Sequence, residues 1–100
     1  MRLLFFRAQA VRDVLAIVEH LAEIADLEVA RRWDATLRAR LRALAANPAQ
    51  LGVNRPELAA SLRSIPVQNY IVFFRYHEET FEVVRIVHGA RDIDMNYFEF

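Results

Sequence analysis

The sequence predicts an α+β fold in the order β-α-α-β-β-β, an antiparallel sheet with a helical hairpin packed on one face. Three observations carry this. Apolar residues recur at helical spacing through the first half of the chain. From Leu62 the pattern changes to short runs rich in Val, Ile, Phe and Tyr. Between the two halves lies a stretch of about fifteen residues with Pro48, Gly52 and Pro56 and no clean period.

Residues 2–6 are short, apolar and β-prone and read as the first strand. From Ala8 to Ala25, Val11, Val14, Ile17, Val18, Leu21 and Ala25 fall on one helical face, with Arg12, Glu19 and Glu23 opposite. Asp26 is suited to cap a second helix that carries Glu28 in its first turn. Its stripe is Trp33, Leu37, Leu41 and Leu44, and Asn47-Pro48 ends it. The short link between the helices makes them an antiparallel hairpin.

Residues 47–61 read as a loop. Leu62–Ile65, Tyr70–Tyr76 and Phe81–His88 read as strands, with Pro66 stopping the first from being a long central one. The symmetry of the last hairpin sets Phe74 opposite Val83 and Arg75 opposite Glu82. Strict alternation puts Tyr70, Val72, Phe74, Tyr76, Phe81, Val83 and Val87 on one face, and Ile71, Phe73, Val84 and Ile86 on the other. Both faces are apolar, and a helical pair covers only one. Two readings stand for the second: an interaction surface, or a floor covered by residues 47–61 and the tail from Ile93.

Composition narrows the chemistry. With one hundred residues, the chain reads as a single domain over 1–100. All thirteen basic residues are Arg, none is Lys, and thirteen acids balance them to a net charge of zero. Lysine-dependent mechanisms therefore have no side chain, and a general affinity for nucleic acid would call for a positive surplus. Without Cys there are no disulfides, thiolate nucleophiles or zinc–thiolate sites. Gly52 and Gly89 are the only glycines, which excludes phosphate-cradling loops. Thr36, Ser61, Ser64 and Thr80 lie in no nucleophile motif, and His20, His77 and His88 have no metal-ligand spacing. No metal or other cofactor is expected. No apolar run is long enough for a signal peptide or a spanning helix, so the expected location is the cytoplasm, away from membranes.

The residues best suited to contacts are Arg63, Arg75 and Arg85, on three successive strands, and the terminal string His88-Gly89-Ala90-Arg91-Asp92. Guanidinium groups take carboxylate or phosphate in a bidentate way. Alternation sets Arg85 with Phe81, Val83 and Val87, on the face opposite Arg75. Internal ion pairs to Glu82, Asp92 or Asp94 are the competing use of each. The tail Met95–Phe100 is rich in aromatics, with Tyr97 its contact candidate; it either packs back on the sheet or meets a partner.

Several strings together resemble the ParE branch of the RelE/ParE toxin superfamily. They are Ala10-Val11-Arg12-Asp13-Val14, Leu44-Ala45-Ala46-Asn47-Pro48, Arg55-Pro56-Glu57-Leu58, Leu62-Arg63-Ser64-Ile65-Pro66, Tyr70-Ile71-Val72-Phe73-Phe74-Arg75 and Val84-Arg85-Ile86-Val87-His88-Gly89-Ala90-Arg91-Asp92. The resemblance implies a toxin of a type II toxin–antitoxin pair, bound as a hetero-oligomer by a cognate, ParD-like antitoxin. DNA gyrase is the implied target, reached by protein contact with no catalytic residue and no direct binding of nucleic acid. The alternative is the RelE-like activity, ribosome-dependent cleavage of mRNA. That branch uses a basic cluster with Lys, Arg and a late Tyr; this chain has no Lys, and Tyr70-Ile71 stands where the family has a Tyr-Arg pair. His88 is the one candidate for a general base. Arg63, Arg75, Arg85, His88, Arg91, Asp92 and Tyr97 are the implied antitoxin- or target-binding residues. Two departures stand out: Arg7 where members often have a capping Ser, and Val53 where an Arg is common.

Overall fold

The computed structural model describes residues 2–89 and 92–98. Its elements are β1 (Leu3–Phe6), α1 (Ala8–Ile24), α2 (Leu27–Ala46), β2 (Val53–Asn54), β3 (Arg63–Val67), β4 (Tyr70–Tyr76), β5 (Thr80–His88) and a single 3-10 turn at Met95–Tyr97. The five strands form one sheet in the order β1-β5-β4-β3-β2.

Local chemistry sets the boundaries. The Asp26 carboxylate accepts the Val29 N–H at 2.8 Å and caps α2. Asn47 leaves the helix with extended backbone, the conformation a following proline imposes. Its side chain then accepts the Ala49 N–H at 2.9 Å. Arg7 precedes α1 with no side-chain cap. Gln68 and Asn69 both have positive φ, as the two-residue turn joining β3 to β4 demands.

The sheet is mixed, which refines the antiparallel expectation. β1 runs parallel to β5, with Leu3 opposite Thr80 and Phe6 opposite Val83. The other pairings are antiparallel. A parallel pair needs a crossover, and here the helices, β2, β3 and β4 all intervene. The expected register of the last hairpin holds, with Phe74 opposite Val83 and Arg75 opposite Glu82. β3 continues through Pro66 to Val67, further than its proline suggested. β2 pairs only with Arg63 and Ser64, so Pro66 lies where β3 is an edge strand, a position that tolerates proline.

One face of the sheet meets the helices. Val14, Ile17, Trp33, Leu37, Leu41 and Leu44 pack there against Val72, Phe74, Phe81, Val83 and Ile86. Val11, expected in the stripe of α1, is 44% exposed. On the opposite face Leu62, Phe73, Val84, Val87 and Phe98 form a second cluster, with Leu58, Ala59, Ile71, Ile93 and Tyr97 against it. The loop and the tail therefore do fold over this face. Their cover stops short of β1, where Leu3 and Phe5 remain 72% and 52% exposed.

Strict alternation fails at one point, and the reason is a β-bulge. Phe74 pairs with Val83 but Phe73 pairs with Arg85, so Val84 is an extra residue. Beyond it the parity of β5 reverses. Ile86 joins the helix-side cluster and Val87 the opposite one, the inverse of the expectation. Arg85 likewise leaves the face of Phe81 and Val83 and stands across from Phe73.

The loop before β3 depends on Gly52. Its φ is +83°, and a Cβ there would lie 2.7 Å from the Ser64 carbonyl oxygen and 2.8 Å from Phe74 Cζ. Gly52→Ala is expected to destabilise the fold by roughly 1–3 kcal/mol, since backbone strain and contact with a rigid ring act together. The midpoint of urea unfolding checks this.

Candidate functional site

The arginines that the strands present are held by the protein's own acceptors. On β3, Arg63 donates from Nε to the Leu51 carbonyl at 2.8 Å and from Nη2 to the Gly52 carbonyl at 3.1 Å. It ties the loop after α2 to the sheet. On β4, Arg75 donates to Glu82 Oε1 at 2.9 Å. Arg7 reaches the other carboxylate oxygen at 2.9 Å, and His77 Nε2 lies 2.8 Å from Oε1. Glu82 is thus a buried carboxylate, 5% exposed, with three cationic or polar groups on it. Burial alone would raise its pKa; the hydrogen bonds from Arg75, His77 and Arg7 outweigh that and hold it at about 2.

Arg85 sits at the bulge and reaches α1. Its Nε and Nη2 donate to the two oxygens of Asp13 at 2.8 and 3.0 Å, a bidentate pair. Asp13 Oδ2 also accepts the backbone N–H of Ile86 at 2.9 Å. β1 pairs with β5 only as far as Val83, so beyond that point no strand among the described residues neighbours β5 on this side. Asp13 supplies from α1 an acceptor that a strand would otherwise have provided. Nη1 of Arg85 donates to the Tyr97 carbonyl at 3.1 Å, and its guanidinium lies 5.4 Å from the Tyr97 ring centre. One arginine thereby links the first helix, the last strand and the tail.

The expected contact residues fall into separate places. Arg85 and Tyr97 meet. Arg75 lies further along the sheet with Glu82, and Arg63 lies at the β2 end. His88 is exposed and packs edge-on to Tyr70, ring centres 5.3 Å apart. Burial pushes the Tyr70 phenol up. Asp92 is exposed. Arg91 lies outside the described residues. Sequence reasoning missed Asp13 as the partner of Arg85, having offered Glu82, Asp92 and Asp94. The available signal was an acid on the flank of the first helix's apolar stripe, within the Ala10–Val14 string.

Two hollows flank the Asp13–Arg85 pair. One lies between α1 and β5, with Ala16, His20, Tyr70 and His88 in its walls. The other opens where β1 passes into α1, and Arg7, Arg12, Arg85 and Tyr97 face it. Among the described residues no group of three or more His, Asp or Glu could hold a metal ion. Among the same residues no helix is long and apolar enough to cross a membrane.

A family model described as the ParE toxin of the type II toxin–antitoxin system parDE matches residues 4–93. No curated protein matches the chain. Among solved structures, one described as the chromosomal ParDE toxin–antitoxin system from P. aeruginosa superposes with a TM-score of 0.74 at 21% identity, covering 88% of this chain and 96% of that one. At that identity the likeness speaks for the fold. The family match takes in β1 through β5, the Asp13–Arg85 clamp and the bulge, and on it the chain belongs to the ParE toxins of type II toxin–antitoxin systems.

Proposed function

We propose that this ParE toxin inhibits DNA gyrase by protein–protein contact and is silenced by a cognate, ParD-like antitoxin in a cytoplasmic hetero-oligomer. One observation favours a protein target over ribosomal RNA: the strand arginines are engaged internally. Arg75 faces the buried carboxylate of Glu82, Arg85 the partly buried one of Asp13, and Arg63 backbone carbonyls. A ribonuclease of the RelE kind needs cationic groups turned toward the phosphate on which negative charge develops. Arg85, the arginine of the terminal string that the structure describes, already has its charge matched by Asp13.

The contact surface on this reading is the α1 side of the molecule and the adjoining end of β5. Val11 and Leu15 lie one turn apart on α1 and are 44% and 56% exposed. An antitoxin segment crossing there covers apolar surface that the fold leaves open. Arg63, Arg75, Arg85, His88, Arg91, Asp92 and Tyr97 are the proposed contacts, Arg85 and Tyr97 through the surface they jointly shape. The chain is taken as one toxin domain over 1–100.

The test compares gyrase supercoiling with cleavage of ribosome-bound mRNA, using the purified protein. The expected result is inhibited supercoiling with intact mRNA. Cleaved mRNA with normal supercoiling would assign the chain to the endonuclease branch instead. Toxicity in growing cells, and its relief by the product of the adjacent reading frame, tests the antitoxin.

A further inference from the structure

The two helices meet at Ala25 and Asp26, and every residue from Glu23 to Glu28 is exposed. Two of these residues are large and apolar. Ile24 closes α1 and is 65% exposed; Leu27 opens α2 and is 54% exposed. Single exposed apolar residues are ordinary on a protein surface. Here two of them flank one tight link and form a projecting tip that nothing among the described residues covers. Local hydrogen bonds hold the tip in shape. The Ala25 N–H donates to the Leu21 carbonyl at 3.0 Å, and the Ala30 N–H to the Asp26 carbonyl at 3.2 Å. The Val29 N–H donates to the Asp26 carboxylate at 2.8 Å. A tip so fixed loses little freedom on docking.

The charges around the apolar pair decide the kind of partner. Glu23, Asp26 and Glu28 alternate with it along the chain, and no Arg occurs from Asp13 to Ala30. Among the described residues none of these three acids makes an ion pair. Arg31 and Arg32 stand about a turn deeper on α2 and pair with none of them. Arg91 is the one arginine outside the described residues, too few to balance three acids. Like charge disfavours a phosphodiester strand, an anionic membrane or the same tip of a second copy. An apolar recess edged by Lys or Arg on another protein fits both the pair and its rim. The tip also stands apart from the α1 surface assigned above to the antitoxin. Ile24 follows Leu15 by nine residues, which sets it on roughly the opposite side of α1 and about 13 Å along the axis.

We propose that the tip of the helical hairpin, Ile24 and Leu27 within a rim of Glu23, Asp26 and Glu28, enters an apolar recess edged by Lys or Arg on the toxin's target protein. The proposal rests on the reading of the chain as a toxin acting by protein contact, and it names the element that makes the contact. Ile24 and Leu27 supply the buried anchors of such an interface, and the acids steer and orient the approach.

The experiment compares the full chain with two double variants, Ile24→Ser with Leu27→Ser and Glu23→Lys with Glu28→Lys. All four positions are exposed, so both variants are expected to fold, as urea unfolding checks. If one of them loses its fold, the other decides. Produced in growing bacterial cells, the parent chain is expected to arrest growth. Each folded variant should need about tenfold more protein or beyond for the same arrest. The concentration that inhibits gyrase supercoiling should rise by a similar factor. A folded variant of either kind that arrests growth at the parent's level would overturn the proposal, and so would a parent chain that arrests nothing. If the same variant also escaped relief by the product of the adjacent reading frame, the tip would be an antitoxin contact instead. A parent that arrests growth but leaves gyrase untouched, with both variants inert, would support the tip and discard gyrase as the target.

Discussion

Asp13→Ala is expected to lower the stability of the fold by about 3–5 kcal/mol, enough to leave much of the chain unfolded at moderate temperature. Two losses coincide. Arg85, 16% exposed in its side chain, would keep its charge with no carboxylate against it. The N–H of Ile86 would lose its acceptor on the side of β5 that β1 no longer flanks. Asp13→Asn keeps an oxygen for that N–H but gives up the charge, and about 1.5–3 kcal/mol is expected. Urea unfolding orders the series. A second variant separates the charge from the packing: Asp13→Leu combined with Arg85→Met should recover a large part of the single-site loss, as apolar replacement of a buried ion pair often does. A double variant no more stable than Asp13→Ala would mean that the Ile86 N–H, and not the ion pair, dominates.

Glu82→Gln should have an effect of similar size with a distinct pH signature. In the folded chain Glu82 titrates at about 2, below its ordinary 4.5. A carboxylate with a depressed folded pKa favours the fold above its unfolded pKa, and the benefit disappears as pH falls through the folded one. The window is therefore from about pH 4.5 down to about pH 2. The difference corresponds to about 3 kcal/mol at neutral pH. For a chain of this length that is a fall of roughly 10–20 °C in Tm on substitution. Native protein should lose stability steeply across the window, and Glu82→Gln should start lower at pH 7 and change less. Parallel curves for the two proteins would show that other acids carry the acid sensitivity. Asp13→Asn provides the control, since the milder change leaves the Glu82 cluster in place.

How far the structure was legible in the sequence depended on whether a feature was local. The cap at Asp26, the exit at Asn47-Pro48 and the stripe Trp33–Leu37–Leu41–Leu44 each rest on residues within a turn or two, and each stands where the sequence put it. The Arg75–Glu82 pair was legible because a hairpin register is short-range. The direction of β1 was not, because its partner lies some 75 residues away and nothing in Leu3–Phe6 specifies orientation. The bulge at Val84 was hidden for another reason. Val83, Val84, Ile86 and Val87 are all apolar, so the reversal of faces leaves no mark on the pattern. Arg85 was noticed as a charge on an apolar strand, yet its partner was sought among nearby acids. Burying a guanidinium requires a carboxylate but does not say from where, and the acid came from the first helix. Arg12 was read as part of the outer side of the first helix, because an exposed arginine there looks the same whether or not a cavity adjoins it.

The parallel pairing of the first strand with the last has a consequence for biosynthesis. A ribosome releases β1, both helices and then β2, β3 and β4 before β5 exists. Until β5 emerges, β1 has no strand to join, α1 has no Arg85 for Asp13 to hold, and the aromatic core formed by Phe74 and Phe81 lacks half its members. Inner strands of the sheet, β4 and β5, are made after both helices and the edge strands β1 and β2. Contacts this distant in sequence slow folding and postpone it. Nascent chains shorter than about residue 88 thus cannot present the finished surface, and the fold closes only once β5 has been made.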